Sequence, residues 1–251
     1  MAGYAARALA LKKTRLGEAD LIVTFLASDG RQLRAVAKGA RKTTSRFGAR
    51  LEPFSVVDLM LAEGRTLDIV TEAQTVRRHN ALCADLDRLS AGSVVLDFAD
   101  KVSVECQSEA RLFELAITAL DVIETAPVDA LPVLIAAFLL KGMAMLGYRP
   151  ALSACAACGR QLSDAGAWRF SLEAGGVVCA GCVSEGLATT RVSADAVQAL
   201  SALLWARLAE VDVLDLCPSS VAECLSLVRS FVAYHVPARM KALEMYGAGM
   251  S

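Results

Sequence analysis

Short apolar runs of β-branched and aromatic residues alternate with turn signals over residues 1–80, a pattern of strands rather than helices. Leu21-Ile22-Val23-Thr24-Phe25-Leu26 forms one such run, Asp29-Gly30 is a hairpin turn signal, and Gln32 to Ala37 can return antiparallel. Phe54 to Ala62 and Leu67 to Gln74 make a second pair around Glu63-Gly64-Arg65, and Ala6 to Thr14 supplies a first strand. Five short strands in so short a stretch suit a small closed barrel. Oligonucleotide-binding folds are of this class, and in them nucleic acid crosses one face and is gripped by loops. Phe25 and Phe54 lie in apolar runs and are expected in the core.

From Asp85 onward the apolar period becomes helical. Leu86, Leu89, Val94, Leu96 and Phe98 begin the series, and Ser108 is placed to cap a helix through Leu112, Leu115, Ile117 and Leu120. Leu131 to Leu140 is the most apolar stretch, yet Pro132 interrupts it and Lys141 stops it short of the roughly 20 residues of a membrane span. It reads as a buried helix. Farther on, Ser193 can cap a helix over Ala196 to Leu208, and Pro218 fits the first turn of another carrying Val221, Leu225, Val228 and Val232. Together these signals predict a multidomain α+β chain. Residues 1–80 form the barrel, 81–150 the first part of a helical domain, 151–190 an insert and 191–251 the C-terminal helical part. The helices on both sides of the insert are expected to pack as one bundle.

Within the insert, Cys155-x-x-Cys158 and Cys179-x-x-Cys182 are separated by 20 residues. Two such hooks supply four thiolates to one ion, and small residues (Ala156, Ala157, Gly159, Ala180, Gly181) let each backbone turn tightly. Trp168-Arg169-Phe170, Gly175-Gly176 and Val177-Val178 read as a hairpin between the hooks, so the pattern is that of a zinc ribbon with one structural Zn²⁺ per chain. Softness alone does not separate zinc from iron on four thiolates. With every position taken by sulfur, no place is left for a catalytic water. The remaining cysteines, Cys83, Cys106, Cys217 and Cys224, stand singly among apolar residues and read as small buried hydrophobes.

The net charge of −1 conceals an asymmetry. Residues 1–50 hold 11 of the 26 Lys and Arg but only 3 of the 27 Asp and Glu, a local net of +8. Arg31, Arg34, Lys38, Arg41, Lys42, Arg46 and Arg50 follow one another without an acidic residue between them, a pattern suited to a polyphosphate chain. Period-two alternation puts Gln32, Arg34 and Lys38 on one face leading into the basic loop. Aromatic residues are few here, so phosphate contacts are expected to outweigh base stacking.

Several functions are not indicated. Met1 to Ala10 lacks the layout of a signal peptide, and metal-type cysteines favour a reducing cytoplasm. Gly39-Ala40-Arg41-Lys42-Thr43 fails as a phosphate-binding loop because Arg41, not glycine, precedes Lys42. His79 and His235 stand without a neighbouring nucleophile or ligand, and no catalytic constellation is evident. A zinc-ribbon factor of transcription or translation would carry its charge on the ribbon, whereas Arg160 and Arg169 are balanced here by Asp164 and Glu173. A thiol oxidoreductase would need an exposed low-pKa cysteine beside a resolving one.

Three segments resemble the bacterial RecO family of DNA repair and recombination mediators. They are Leu16-Gly17-Glu18-Ala19-Asp20-Leu21-Ile22-Val23-Thr24-Phe25, Ala35-Val36-Ala37-Lys38-Gly39-Ala40-Arg41-Lys42 and Leu51-Glu52-Pro53-Phe54. Val228 to His235 is similar to that family's last helix, although Val236 to Met245 lacks the Lys-Ser that often follows. The resemblance implies an N-terminal OB-fold barrel, a helical domain and a zinc module held by Cys155, Cys158, Cys179 and Cys182. It further implies a non-enzymatic, nucleoid-associated protein of the cytoplasm that binds single- and double-stranded DNA and anneals complementary strands. Its implied partners are RecR, the acidic C-terminal tail of single-strand-binding protein and, indirectly, the RecA filament; a membrane is not among them.

Overall fold

The strand pattern of the N-terminal segment closes on itself. The computed structural model describes residues 3–45, 47–162, 168–183 and 187–248. They divide into two compact units, Met1–Thr125 and Ala126–Ser251.

In the first unit, β1 (Gly3–Leu16), β2 (Asp20–Ala27), β3 (Gln32–Ala37), β4 (Ser55–Ala62) and β5 (Asp68–Arg78) form a closed barrel in the order β1-β2-β3-β5-β4. Neighbours run antiparallel except β3 and β5, whose short parallel pairing, Ala35 with Asp68 and Val36 with Ile69, completes closure. A five-stranded barrel has a narrow interior, and the sequence fits it by alternating small and large side chains. Ala8, Ala10, Ala27, Ala35, Ala37 and Ala73 share the inner cluster with Phe25, Phe47, Leu59 and Leu61. Burying Phe25 completely stabilises the barrel by about 1.5–3 kcal/mol.

Alternation in β1 breaks at a bulge between Ala10 and Lys12, and Ala8 through Leu11 are all buried. Ala8 and Ala10 face inward. Leu9 and its cross-strand partner Leu26 lie outside the inner cluster and are fully buried where α2 (Leu86–Val102) packs on β1 and β2. The helix is capped by Asp85, whose carboxylate accepts from the Arg88 N–H at 2.9 Å. Beside it lie α1 (Asn80–Ala84) and α3 (Ala110–Thr125). The latter starts two residues beyond Ser108, its first turn closed by the Leu112 N–H on the Glu109 carbonyl at 2.8 Å.

His79 is buried between two acceptors, its Nδ1 2.9 Å from the Phe54 carbonyl and its Nε2 2.9 Å from Asp121 Oδ1. Phe54 adopts a left-handed φ of 68°, held by its own N–H on the Ala10 carbonyl and by the His79 contact. Gly30, in the β2–β3 turn, has φ 86°, and a Cβ there would lie 2.1 Å from the Glu109 carbonyl oxygen. Gly30→Ala is therefore expected to lower unfolding free energy by more than the roughly 1–2 kcal/mol of the left-handed conformation alone, because backbone must also move. Urea denaturation of the two proteins measures this.

The unit boundary after Thr125 falls inside the span 81–150, so α2 and α3 group with the barrel. The second unit begins with α4 (Leu131–Met145), followed by the ribbon strands β6 (Trp168–Ser171), β7 (Gly176–Cys179) and β8 (Thr190–Arg191), then α5 (Ala194–Trp205), α6 (Pro218–His235) and α7 (Lys241–Ala248). Helices α4, α5 and α6 pack on one another. Val128–Met145 is long and apolar enough to cross a membrane by composition, more than the sequence reading allowed. Most of that window is buried inside the unit, including Ile135 through Leu140, so a protein core accounts for its apolarity.

Ser193 caps α5 as expected, accepting from the Ala196 N–H at 3.1 Å, and Pro218 opens α6. Helix α5 ends earlier than its apolar stripe, at Trp205, and Leu208 is buried from a separate 3₁₀ turn. The expectation for the single cysteines holds for Cys224 alone. Cys83, Cys106 and Cys217 are exposed, because they sit at a short helix, a loop and a helix start rather than inside apolar stripes.

Candidate nucleic-acid interface and metal centre

Antiparallel registry on β1, β2 and β3 stacks Lys12, Thr24 and Arg34 in one cross-strand row. Beside that row a groove of about 400 Å³ is lined by Lys12, Thr14, Ile22, Thr24, Gln32 and Arg34 and bordered by Asp100, Lys101 and Glu105 of the α2 end and the following loop. Gln32 donates to the Asp100 carbonyl at 2.8 Å, so it serves as a clamp on α2 rather than as a free polar group. Past β3 the chain turns through Gly39, whose N–H bonds Asp20 at 2.7 Å, and the Arg41 N–H bonds the Ala19 carbonyl at 2.9 Å. These bonds fix the basic loop against the β1–β2 turn.

The seven basic positions divide by what already holds them. Arg34, Lys38 and Lys42 are exposed, and their side chains make no hydrogen bond or ion pair among the described residues. Arg31 is engaged by Asp29 at 2.8 Å. Arg41 folds back to donate to the Gly17 and Glu18 carbonyls at 3.1 and 2.8 Å. Arg50 lies elsewhere on the barrel, donating to the Ala73 carbonyl at 3.2 Å and lining a separate groove with Arg7, Asp58 and Met60. Arg46 lies outside the described residues.

One further cation joins this surface that the charge run did not include. Lys12 reaches Asp100 at 2.7 Å across the groove. Only the bulge brings Lys12 to the outer face. Asp100 is bonded by both Lys12 and Lys101, which offset its charge, and Glu105 is a second carboxylate at the groove's border. Arg34 in the groove, with Lys38 and Lys42 in the loop beyond β3, carries charge that no carboxylate engages among the described residues, and Arg41, bonded only to neutral carbonyls, keeps its charge as well.

In the second unit the four predicted ligands come together. The Sγ atoms of Cys155, Cys158, Cys179 and Cys182 all lie within 4.8 Å of one another. Cys158 and Cys179 are 3.8 Å apart, the edge of a tetrahedron of sulfurs about 2.3 Å from its centre. The hairpin is the cause. Trp168 pairs with Cys179 and Ser171 with Gly176, which carries Cys179 to the end of β7, and the Ala156 N–H on the Val177 carbonyl docks the first hook beside it. Ala151 pairs in parallel with Gly176, where a Cβ would sit 2.4 Å from the Ala151 oxygen, so only glycine admits this approach.

The donors differ in environment. Burial opposes ionisation of Cys155, but N–H groups of Cys179, Cys158 and Ala157 outweigh it and bring the thiol down to about 6. Hydrogen bonding with Cys158 and Cys179, with burial, pushes Cys182 up to about 12. Four thiols this close cannot all ionise unaided, and a divalent cation is what would let them do so. The donor set fits a soft, tetrahedral ion.

Residues 1–79 match the family model for the Recombination protein O N terminal, and residues 83–244 that for the Recombination protein O C terminal. The chain is 40% identical over 246 residues to the DNA repair protein RecO of Nocardioides sp., covering 96% of this chain and 97% of that protein. It is 35% identical to the DNA repair protein RecO of Bifidobacterium adolescentis over 245 residues, 96% of this chain and 98% of the relative. The corresponding protein of Thermobifida fusca is 37% identical over 248 residues, with 98% of each chain covered.

Proposed function

This chain belongs to the Recombination protein O family of DNA repair and recombination proteins, and we propose that it acts as a non-enzymatic mediator binding single- and double-stranded DNA through its barrel. The observation that carries this reading is the outer face of β1, β2 and β3. There Arg34 lines a groove and Lys38 and Lys42 follow in the loop after β3, all three unpaired among the described residues, while Lys12 and Arg31 are engaged by carboxylates. Free cations release counterions from a phosphate chain when they bind it; cations already bonded to carboxylates contribute much less. Loading two complementary strands on such a face lowers their mutual repulsion, and annealing then needs no nucleotide hydrolysis.

The ion at Cys155, Cys158, Cys179 and Cys182 is zinc in this reading, structural and one per chain. Recruitment to coated DNA runs through the acidic tail of single-strand-binding protein, and RecR joins the complex to load RecA. The work belongs to the cytoplasm, at the nucleoid.

Annealing is expected to proceed without ATP and to persist on strands coated with cognate single-strand-binding protein. Removing the acidic tail from that protein should suppress annealing of coated strands and leave naked strands nearly unaffected. A fluorescence-quenching annealing assay on both substrates reads the difference. An ATP requirement, or an equal response of coated and naked strands, would sink the mediator reading.

A further inference from the structure

The second unit gathers exposed aromatic rings where three of its helices end. Tyr148, just past α4, stacks on His235 at the end of α6, with ring centroids 4.6 Å apart and planes 30° from parallel. Tyr234 meets the same imidazole edge-on at 4.9 Å, and Phe231 does so at 4.4 Å. The next residue after Tyr148, Arg149, lies over the ring of Trp205, the last residue of α5, at 4.2 Å. Lys141 on α4 donates to the Leu204 carbonyl at 2.8 Å, satisfying an orphan carbonyl at that helix end.

The chemistry of this cluster is unusual for a surface. Trp205 is 71% exposed, Tyr234 53% and Tyr148 43%. Single exposed rings are ordinary on a protein surface, but three grouped at neighbouring helix ends mark a candidate interaction surface. Each is fixed in orientation: Tyr148 by the imidazole behind it, Tyr234 by the same ring, Trp205 by the guanidinium. His235 Nε2 has no hydrogen-bond partner among the described residues, so this ring is placed by aromatic packing rather than by polar bonds. Rigid open π-faces next to an arginine are what unpaired bases stack on.

We propose that Tyr148, Trp205 and Tyr234, with Arg149, form a base-stacking surface for single-stranded nucleic acid on the second unit. It rests on the DNA-binding reading above and adds what the barrel lacks. In the barrel Phe25, Phe47 and Phe54 are buried and Tyr4 is half-buried with its hydroxyl donating to Asp68, so that face can grip phosphates but has few rings to offer bases. Duplex DNA keeps its bases stacked internally and gains little from such a surface. Strand preference would then come from the second unit, and charge-driven affinity from the first.

The test is a Tyr148→Leu/Trp205→Leu/Tyr234→Leu variant, which removes the rings and leaves every charge in place. Its affinity for oligo(dT) should fall on the order of 10- to 100-fold, with the salt slope unchanged and duplex affinity within about 2-fold of the parent. Unchanged oligo(dT) affinity in the folded variant would overturn the proposal. A second measurement needs no aromatic substitution in the chain under test. The protein has two tryptophans, Trp168 and Trp205, and labelling with 5-fluorotryptophan gives each a ¹⁹F resonance. Oligo(dT) should shift the Trp205 signal and an abasic strand of the same charge should not. A Trp205 signal unmoved by oligo(dT), the outcome if the surface instead takes a protein, would equally overturn it. Failure of the barrel reading looks different: an Arg34→Glu/Lys38→Glu/Lys42→Glu variant would then retain both duplex and single-strand binding, whatever the Trp205 signal does.

Discussion

Protein carrying Cys158→Ser or Cys179→Ser is expected to come off purification without its metal ion and with residues 151–190 open to proteolysis. Beyond its four sulfurs the ribbon is held by the short β8 on β6, by Ala151 on Gly176 and by Phe170 edge-on against Phe231 of α6. Its buried cluster consists of Cys155, Val178 and Cys179, with Trp168, Ala174, Cys182 and Leu187 packed alongside, and two strands of four residues each make the hairpin. Full burial of a valine is worth about 1.5–3 kcal/mol, whereas zinc contributes an apparent 10–16 kcal/mol in small finger modules, so the ion dominates. A two-stranded hairpin of that length is not stable by itself in water. Duplex binding should survive at least in part, since the barrel has its own core in the other unit. Elemental analysis of protein prepared without chelator reads one zinc per chain for the parent and none for either variant. Parent protein free of metal would refute the site outright.

The two candidate sites differ in how far they could be read from the sequence, and the reason is physical. Metal ligation by C-x-x-C hooks is local: spacing and small residues fix which sulfurs can meet, and the hairpin residues between the hooks are visible as Trp168 to Phe170 and Val177 to Val178. The barrel strands were legible for a related cause, because alternation reports which residues face inward; β3 has the bounds Gln32–Ala37 that the pattern gives. What charge counting could not show is engagement. Arg31 and Arg41 are as basic in sequence as Arg34, yet one bonds Asp29 and the other two carbonyls that lie 23 and 24 positions earlier. Lys12 was missed because a bulge reset its face, and a bulge leaves no simple trace in composition. Likewise Tyr148, Trp205 and Tyr234 come from three helix ends far apart in the chain, and only packing brings them near one another.

Reversing the three open charges, Arg34→Glu, Lys38→Glu and Lys42→Glu, should abolish measurable binding to both single- and double-stranded DNA at moderate salt, with no sequence bias. None of the three side chains is bonded to another of the described residues, so the variant should keep its unfolding transition, which separates loss of contact from loss of structure. The neutral version isolates the electrostatics. With Gln at each position, three phosphate contacts disappear, and the slope of log affinity against log salt should flatten by about 2.7 on duplex and about 2.1 on single strands. Arg31→Gln and Arg50→Gln provide the contrast: Arg31 is already paired with Asp29 and Arg50 lines a separate groove of the barrel, so each should change the slope by well under about 0.9. Fluorescence anisotropy across a salt series measures all of these on the same labelled strands. Equal slopes for the open and the engaged positions would mean that DNA draws Arg31 and Arg50 away from their partners, and the binding face would have to be extended around the barrel. An unchanged slope in the Arg34/Lys38/Lys42 variant would place the DNA contact somewhere other than β1, β2 and β3.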